Sequence, residues 1–399
     1  MPIAIPLERR NVAILVSCQT LFLVASITVM TLSGVVGHRL SPAPGLATLP
    51  IAMMMLSTVV STLPASLFMK RVGRRRGFIT GASIGGIGGG LVAFSAIAIE
   101  SFPLFCAGNL LLGFYQSFAM YYRFAAADVA SPAFRSRAIS WVMAGGVVAA
   151  FLGPWNASLT NGWIAAVPDG DPYLMIAALA LAAIGLLAWL RVPTSGEPQP
   201  GDVARPMAEI TALPRFRVAV LAAAVGYAVM VLVMTATPLA MRAQGFAMGQ
   251  VAIIMQWHVL GMFAPSFITG TLIARFGVMR ILLAGTLILA TSSLMALSGS
   301  GLAHYWLALV LLGMGWNFLF VGGSALLTGV HNEAERGKVQ GVNDLIIFSL
   351  VALGSLLSGN LLHHLGWVTL NLAMLAPIAL VAAAVAWLSL HEARAAVRS

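Results

Sequence analysis

Apolar residues along this chain neither alternate nor keep to one helical stripe. They come in runs of about twenty, divided by short polar breaks. Such runs lie near 11–36, 46–69, 77–99, 103–130, 138–158 and 172–192. A polar, proline-rich stretch follows at 193–215, "PTSGEPQPGDVARPMAEITALPR". Six more runs lie near 216–241, 250–273, 278–299, 303–330, 339–362 and 367–390. At about 1.5 Å per residue, each is long enough to cross a hydrocarbon core of about 30 Å. Backbone N–H and C=O groups find no water there, so each run is predicted to be a helix that bonds internally. The expectation is an all-α membrane protein. Twelve transmembrane helices form two pseudo-symmetric six-helix bundles, residues 1–192 and 216–399, joined by a cytoplasmic linker at 193–215.

The two halves echo each other. "LLGFYQSFAMYYRFAAADVASPAFRSRA" begins at Leu111, and "LLGMGWNFLFVGGSALLTGVHNEAERGK" begins 200 residues later at Leu311. Each reads as a glycine-bearing helix that ends in a loop with two basic residues, Arg135 and Arg137, then Arg336 and Lys338. A second echo pairs "PASLFMKRVGRRR" at Pro64 with "PSFITGTLIARFGVMR" at Pro265. Duplicated halves suit a transporter that holds its solute between two bundles and exposes it alternately on the two sides.

Composition sharpens this picture. Of 399 residues, 60% are hydrophobic and 9% charged, and the mean hydropathy is +0.94. A water-soluble enzyme cannot cover its surface with so few charges. The net charge of +10 does not point to nucleic acid, because the basic residues lie in short loops. Of 22 Lys and Arg, only Arg39 and Arg242 fall in odd-ranked loops, and Arg123 lies inside the fourth run. The positive-inside rule then puts both termini and the linker of a multi-pass membrane protein in the cytoplasm. The first run is too long for a cleaved signal segment and is read as a retained span. Cys18 and Cys106 form no paired motif and read as buried thiols.

On these residues the chain resembles the major facilitator superfamily of transporters. That family's loop between helices 2 and 3 runs Gly-x-x-x-Asp-Arg-x-Gly-Arg-Arg. Here "SLFMKRVGRRR" keeps Arg71, Gly73, Arg74 and Arg75, with Ser66 for the glycine and Lys70 for the aspartate. The second copy keeps Gly270, Arg275, Gly277 and Arg280, with Ala274 for the acid. The resemblance implies the two-bundle fold and transport without enzymatic chemistry. The acid of the family's loop latch is missing from both copies.

Ionisable residues inside a membrane are costly and are read first as functional. Here they are Arg123 and Asp128 in the fourth run, His258 in the eighth and Asp344 in the eleventh. Arg123 and Asp344 fall at similar depth from the cytoplasmic side, which predicts a cytoplasmic gate made by this pair. The equal alternative is that each pairs within its own half, Asp128 with the loop arginines.

Two soft motifs remain. Met230 and Met234 are four residues apart in the seventh run, as are His258 and Met262 in the eighth. Residues at this spacing share a helical face. Depth counting sets Met234 beside His258 and Met230 beside Met262. Either motif alone is ordinary packing in a chain with 20 Met. Together they make three thioethers and an imidazole, a neutral soft set that favours Cu(I). Met241 and Met255 continue outward as a possible access path. "MVLVM" followed by "HVLGM" resembles the paired motifs of the CcoA-like copper importers, a branch of this superfamily. That resemblance implies a transporter in the lipid of the bacterial inner membrane with no resident cofactor; a monomer with no nucleic-acid partner is expected. It would carry a copper ion, as Cu(I), inward for cytochrome oxidase maturation on Met230, Met234, His258 and Met262. The rival expectation is a carrier or antiporter for a small organic solute or drug, with Tyr121, Trp316 and Asn317 in the pocket and the methionines as its greasy wall.

Overall fold

The computed structural model describes residues 5–42, 46, 48–160, 163, 164, 167, 169–192 and 204–398. Every regular element among them is a helix. α1 is Ile5–Leu40 and α2 is Leu49–Val72. α3 is Arg74–Ala98, with a π-helical stretch at Gly81–Ile87. α4 comes in two pieces, Phe102–Ala119 and Tyr122–Val129, followed by α5, Arg135–Thr160, and α6, Asp171–Ala188. Residues 193–203 of the expected linker lie outside the described residues, and a short helix, Met207–Ala212, ends it. α7 is Pro214–Ala243, α8 is Met248–Phe263 with Ser266–Phe276, α9 is Val278–Leu297 and α10 is Leu302–Leu327. The final run, Arg336–Arg398, turns at Gly366 with φ 74°, which separates α11 from α12.

Ten described helices are long and apolar enough to cross a membrane. The difference from twelve has two sources. α11 and α12 run on through Gly366, and α4 is interrupted at Met120 and Tyr121. At that interruption the Arg123 guanidinium donates through Nη1 to the Met120 carbonyl at 2.6 Å. A buried cation thus takes up a backbone acceptor where the helix breaks.

The chain forms two units. One comprises Met1–Ser131, Gly145–Gly201 and the short piece Gln340–Leu345. The other comprises Pro132–Ala144, Asp202–Val339 and Ile346–Ser399. In the first, α2 and α3 pack along α4, and α1 and α3 pack on α6. In the second, α7, α8 and α9 all pack along α10, while α7 and α8 meet each other at few positions.

The sequence echo is a backbone repeat. Gly73 and Gly277 have φ 87° and 86°, left-handed conformations that suit glycine. Each donates its N–H at 2.9 Å, to Met69 and Ile273 respectively. Close helix approach repeats as well. A Cβ on Gly313 would lie 2.7 Å from the His258 carbonyl, and one on Gly113 would run into the Met54 carbonyl. Met54 and His258 therefore hold the same place, 204 residues apart, as do Gly73 and Gly277.

Both halves also pin the loop that follows their fourth helix. Glu8 accepts from Ser131 N at 2.9 Å. In the second unit Glu335 accepts from Arg205 N at 2.9 Å and from its Nε and Nη2, each at 2.7 Å. Arg205 Nη2 also donates to the Val330 carbonyl. The Arg205 hydrogen bonds pull the Glu335 carboxyl down to about 2.

Candidate functional site

Two clusters of chemistry stand out, one in each unit. In the second unit five rings from four helices, Trp316 among them, form one cluster. Tyr227 on α7 lies 5.1 Å from Trp316 and 5.2 Å from Phe320, edge to face. Phe263 on α8 meets Trp316 at 5.8 Å, and Phe348 on α11 meets Tyr227 at 6.0 Å. Trp316 and Phe320 stack with planes 12° apart, as residues one turn apart on α10 allow. Trp316, Phe263, Phe320 and Phe348 are buried, while Tyr227 is half-buried. The buried Trp316 indole N–H has no hydrogen-bond partner among the described residues. A desolvated donor among ring faces suits a flat molecule with a carbonyl at its edge.

Asn317 behind these rings is already committed. Its Nδ2 donates to the Met262 carbonyl at 2.7 Å and to Ser266 Oγ, and its Oδ1 accepts from Thr269 Oγ1 at 2.8 Å. It locks the kink of α8 to α10. Tyr121 is committed too, its hydroxyl donating to the Thr62 carbonyl at 2.9 Å. Of the three residues expected to form an organic-solute pocket, Trp316 alone combines ring faces with an unused donor. Tyr227, Phe263, Phe320 and Phe348 were not singled out in the sequence. Ring residues four apart at 316 and 320 were the available signal.

The cluster in the first unit is ionic. Arg123 Nη2 donates to Asp344 Oδ1, which also accepts from Asn343 Nδ2 at 2.8 Å. Both members of the pair are buried. Arg74 Nε pairs with Asp128 Oδ2 at 3.2 Å, its Nη2 donates to Gln340 Oε1, and its guanidinium lies over the Tyr121 ring at 5.5 Å. The structure therefore makes both pairings that the sequence left open. Gln340 and Asn343 went unread, although Gln340 stands one helical turn before Asp344. Of the other signature positions, Arg71 and Arg75 are exposed, and Gly73 makes the turn.

The soft residues fall differently. His258 is fully buried, and its Nδ1 donates to the Leu309 carbonyl of α10 at 2.7 Å. A Cβ on Gly313 would lie 2.6 Å from Met262 N, so α8 presses its His258–Met262 face on α10. What fixes the imidazole is α10, not α7. Met230 is buried and Met234 half-buried. Met234 stands two turns from Tyr227 on the same face of α7. Met241 is buried and Met255 half-buried. Among the described residues, no group of three or more His, Cys, Asp or Glu side chains gathers where it could hold a metal ion.

Comparison with known proteins bears on the two expected cargoes. The riboflavin transporter RfnT of Brucella anthropi is 44% identical over 375 residues, which is 94% of each chain. The human organic anion transporter MFSD10 superposes with a TM-score of 0.75 at 15% identity, covering 95% of this chain and 99% of that one. The E. coli fucose:proton symporter FucP gives 0.74 at 17% identity, covering 97% and 99%. The two structures establish the fold alone.

The expectation of a copper importer is overturned by the RfnT match, a relative over nearly the whole chain that is named for an organic solute. With it fall Cu(I) as cargo, metal binding and service to cytochrome oxidase maturation. The physical reason is visible at His258. The motif that suggested a ligand stands at the repeat position of Met54, a packing residue, and its imidazole serves the α8–α10 contact.

The chain is a membrane-spanning transporter and not an enzyme. The sequence pattern of the Major Facilitator Superfamily matches residues 14–264 and 218–398, and the chain belongs to that family.

Proposed function

We propose that this protein carries a flat, conjugated heteroaromatic solute of the riboflavin type across the bacterial inner membrane. It does so as a monomer with both termini and the linker in the cytoplasm. The observation that carries this reading is the 44% identity to a riboflavin transporter over 94% of both chains. The ring cluster supports it. A fused ring system gains about 0.5–1.5 kcal/mol per well-placed aromatic neighbour beyond the area it buries. The Trp316 N–H offers a donor for an edge carbonyl. Met230 and Met234 supply adaptable apolar wall.

The bundles are residues 1–192 and 216–399, and the Arg123–Asp344 pair acts as the cytoplasmic gate. It lodges the Gln340–Leu345 piece of the second half in the first unit, and transport requires that piece to leave.

The test is uptake of radiolabelled riboflavin in a bacterial strain that neither makes nor imports it. The wild-type chain is expected to restore growth on low external riboflavin and to leave cellular copper unchanged. A chain that reaches the membrane yet transports no riboflavin ends this reading.

A further inference from the structure

The second unit has a cleft of about 540 Å³ that neither the rings nor the ionic cluster uses. Its lining comes from the ends of five helices: Arg215 of α7, Phe276 of α8, Val278 to Arg280 of α9, Leu326 of α10, and Ser389 and Glu392 of α12. By the distribution of Lys and Arg these ends face the cytoplasm. The cleft therefore sits at the level where lipid phosphates lie.

Its chemistry is two-sided. Arg215 Nε donates to Glu392 Oε1 at 2.6 Å, and both side chains stay partly exposed. Arg280 is exposed and has no ion-pair or hydrogen-bond partner among the described residues. Two guanidiniums against one carboxylate leave the lining with net positive charge. Beside them Phe276, Val278, Met279 and Leu326 form an apolar floor; Phe276 is 43% exposed, and the Arg275 guanidinium lies 5.2 Å over its ring. Gly329 leaves room, since a Cβ there would meet only the Leu326 carbonyl at 3.6 Å.

We propose that this cleft is a binding site for an anionic phospholipid of the cytoplasmic leaflet. The phosphate seats between Arg280 and Arg215, and the upper acyl chain lies along Phe276, Met279 and Leu326. A guanidinium fork matches a phosphate in geometry as well as charge. Anionic headgroups at the inner surface attract basic residues that lie within a Debye length of them. A free phosphate would use the arginines but not the floor, whereas the lipid uses both.

Native mass spectrometry of the full chain tests this, with phosphatidylglycerol, phosphatidylcholine or inorganic phosphate offered in detergent. Wild type should retain phosphatidylglycerol at least fivefold over phosphatidylcholine. Arg280→Gln, which removes the charge, and Gly329→Phe, which fills the space, should each cut that retention at least fivefold. Lys338→Gln, an exposed charge on the same face outside the cleft, should leave it unchanged. Equal retention across wild type, Arg280→Gln and Gly329→Phe overturns the proposal. So does inorganic phosphate that displaces the adduct at millimolar concentration with no preference between the two lipids, because that marks a bare anion site.

Discussion

α4 and α10 are two copies of one sequence segment, and they have been put to opposite uses. Gly113 and Gly313 sit at the same place in the repeat, and each brings its helix against a partner, α2 in the first unit and α8 in the second. Beyond those glycines the copies part. Where α4 has Gln116, Met120 and Arg123, α10 has Trp316, Phe320 and Gly323. α4 breaks at Met120 and Tyr121 and buries a cation that pairs with Asp344. α10 runs unbroken, stacks two rings, and lets Gly323 approach the Ala219 carbonyl of α7. The repeat conserves how helices meet and leaves the side chains between them free to diverge. One copy became a charge-handling element, the other a ring-lined wall.

The sharpest way to break this comparison is to invert the charges of the Arg123–Asp344 pair. Asp in place of Arg123, or Arg in place of Asp344, leaves a like-charged buried pair, a penalty of about 3–5 kcal/mol or more. On the function proposed above, each single variant should lose riboflavin uptake at least a hundredfold, and the double exchange should recover a tenth of it or better. If the double is as inactive as the singles, the pair has no gating role.

Next come the shared glycines. Gly113→Leu and Gly313→Leu should each drive a side chain into a neighbouring backbone and cost about 1–3 kcal/mol or more. Folded yield in detergent, followed by size-exclusion chromatography, should fall for both. A normal yield for either would separate the two copies at the level of packing.

The rings come third. Trp316→Ala should raise the half-saturation concentration for riboflavin about tenfold with membrane amounts unchanged, a loss of about 1.4 kcal/mol. Gln116→Ala, at the equivalent place in α4, should change it less than threefold. Equal effects would mean that the rings are packing and the solute is held elsewhere.

The smallest effect is expected at the Arg205–Glu335 clasp. Glu335 titrates near 2 in the folded chain against an ordinary 4.5. A depressed carboxyl stabilises the fold above its unfolded value, and that contribution disappears as pH falls from about 4.5 towards 2. Allowing for a partly exposed arginine, the clasp is worth about 1–2 kcal/mol at pH 7. Arg205→Ala should lower the melting temperature in detergent by about 2–4 °C at pH 7. At pH 3 the difference should be roughly halved, and near pH 2 it should be largely gone. A difference that stays constant across this range would place the effect outside the carboxylate.

Much of the architecture was legible without coordinates, because a hydrocarbon solvent leaves a chain few options. Runs of fixed length, a 200-residue echo and the segregation of arginines specify the spans and the duplication, and they nominate both topological sides. Arg123 and Asp344 could be nominated as well, since a charge in an apolar run has to be accounted for. The methionine–histidine pattern failed for an equally physical reason. Spacing of four fixes which residues share a face but not what that face meets, and in the fold the face of His258 meets α10. The rings around Trp316 come from four helices far apart in sequence, so no local pattern announces them. The chain's own sequence settled that it is a duplicated membrane helix bundle, because periodicity and charge placement are local properties. Which polar groups are spent on structure and which remain free for a solute was decided by tertiary packing, because a hydrogen bond between helices exists only once both are in place.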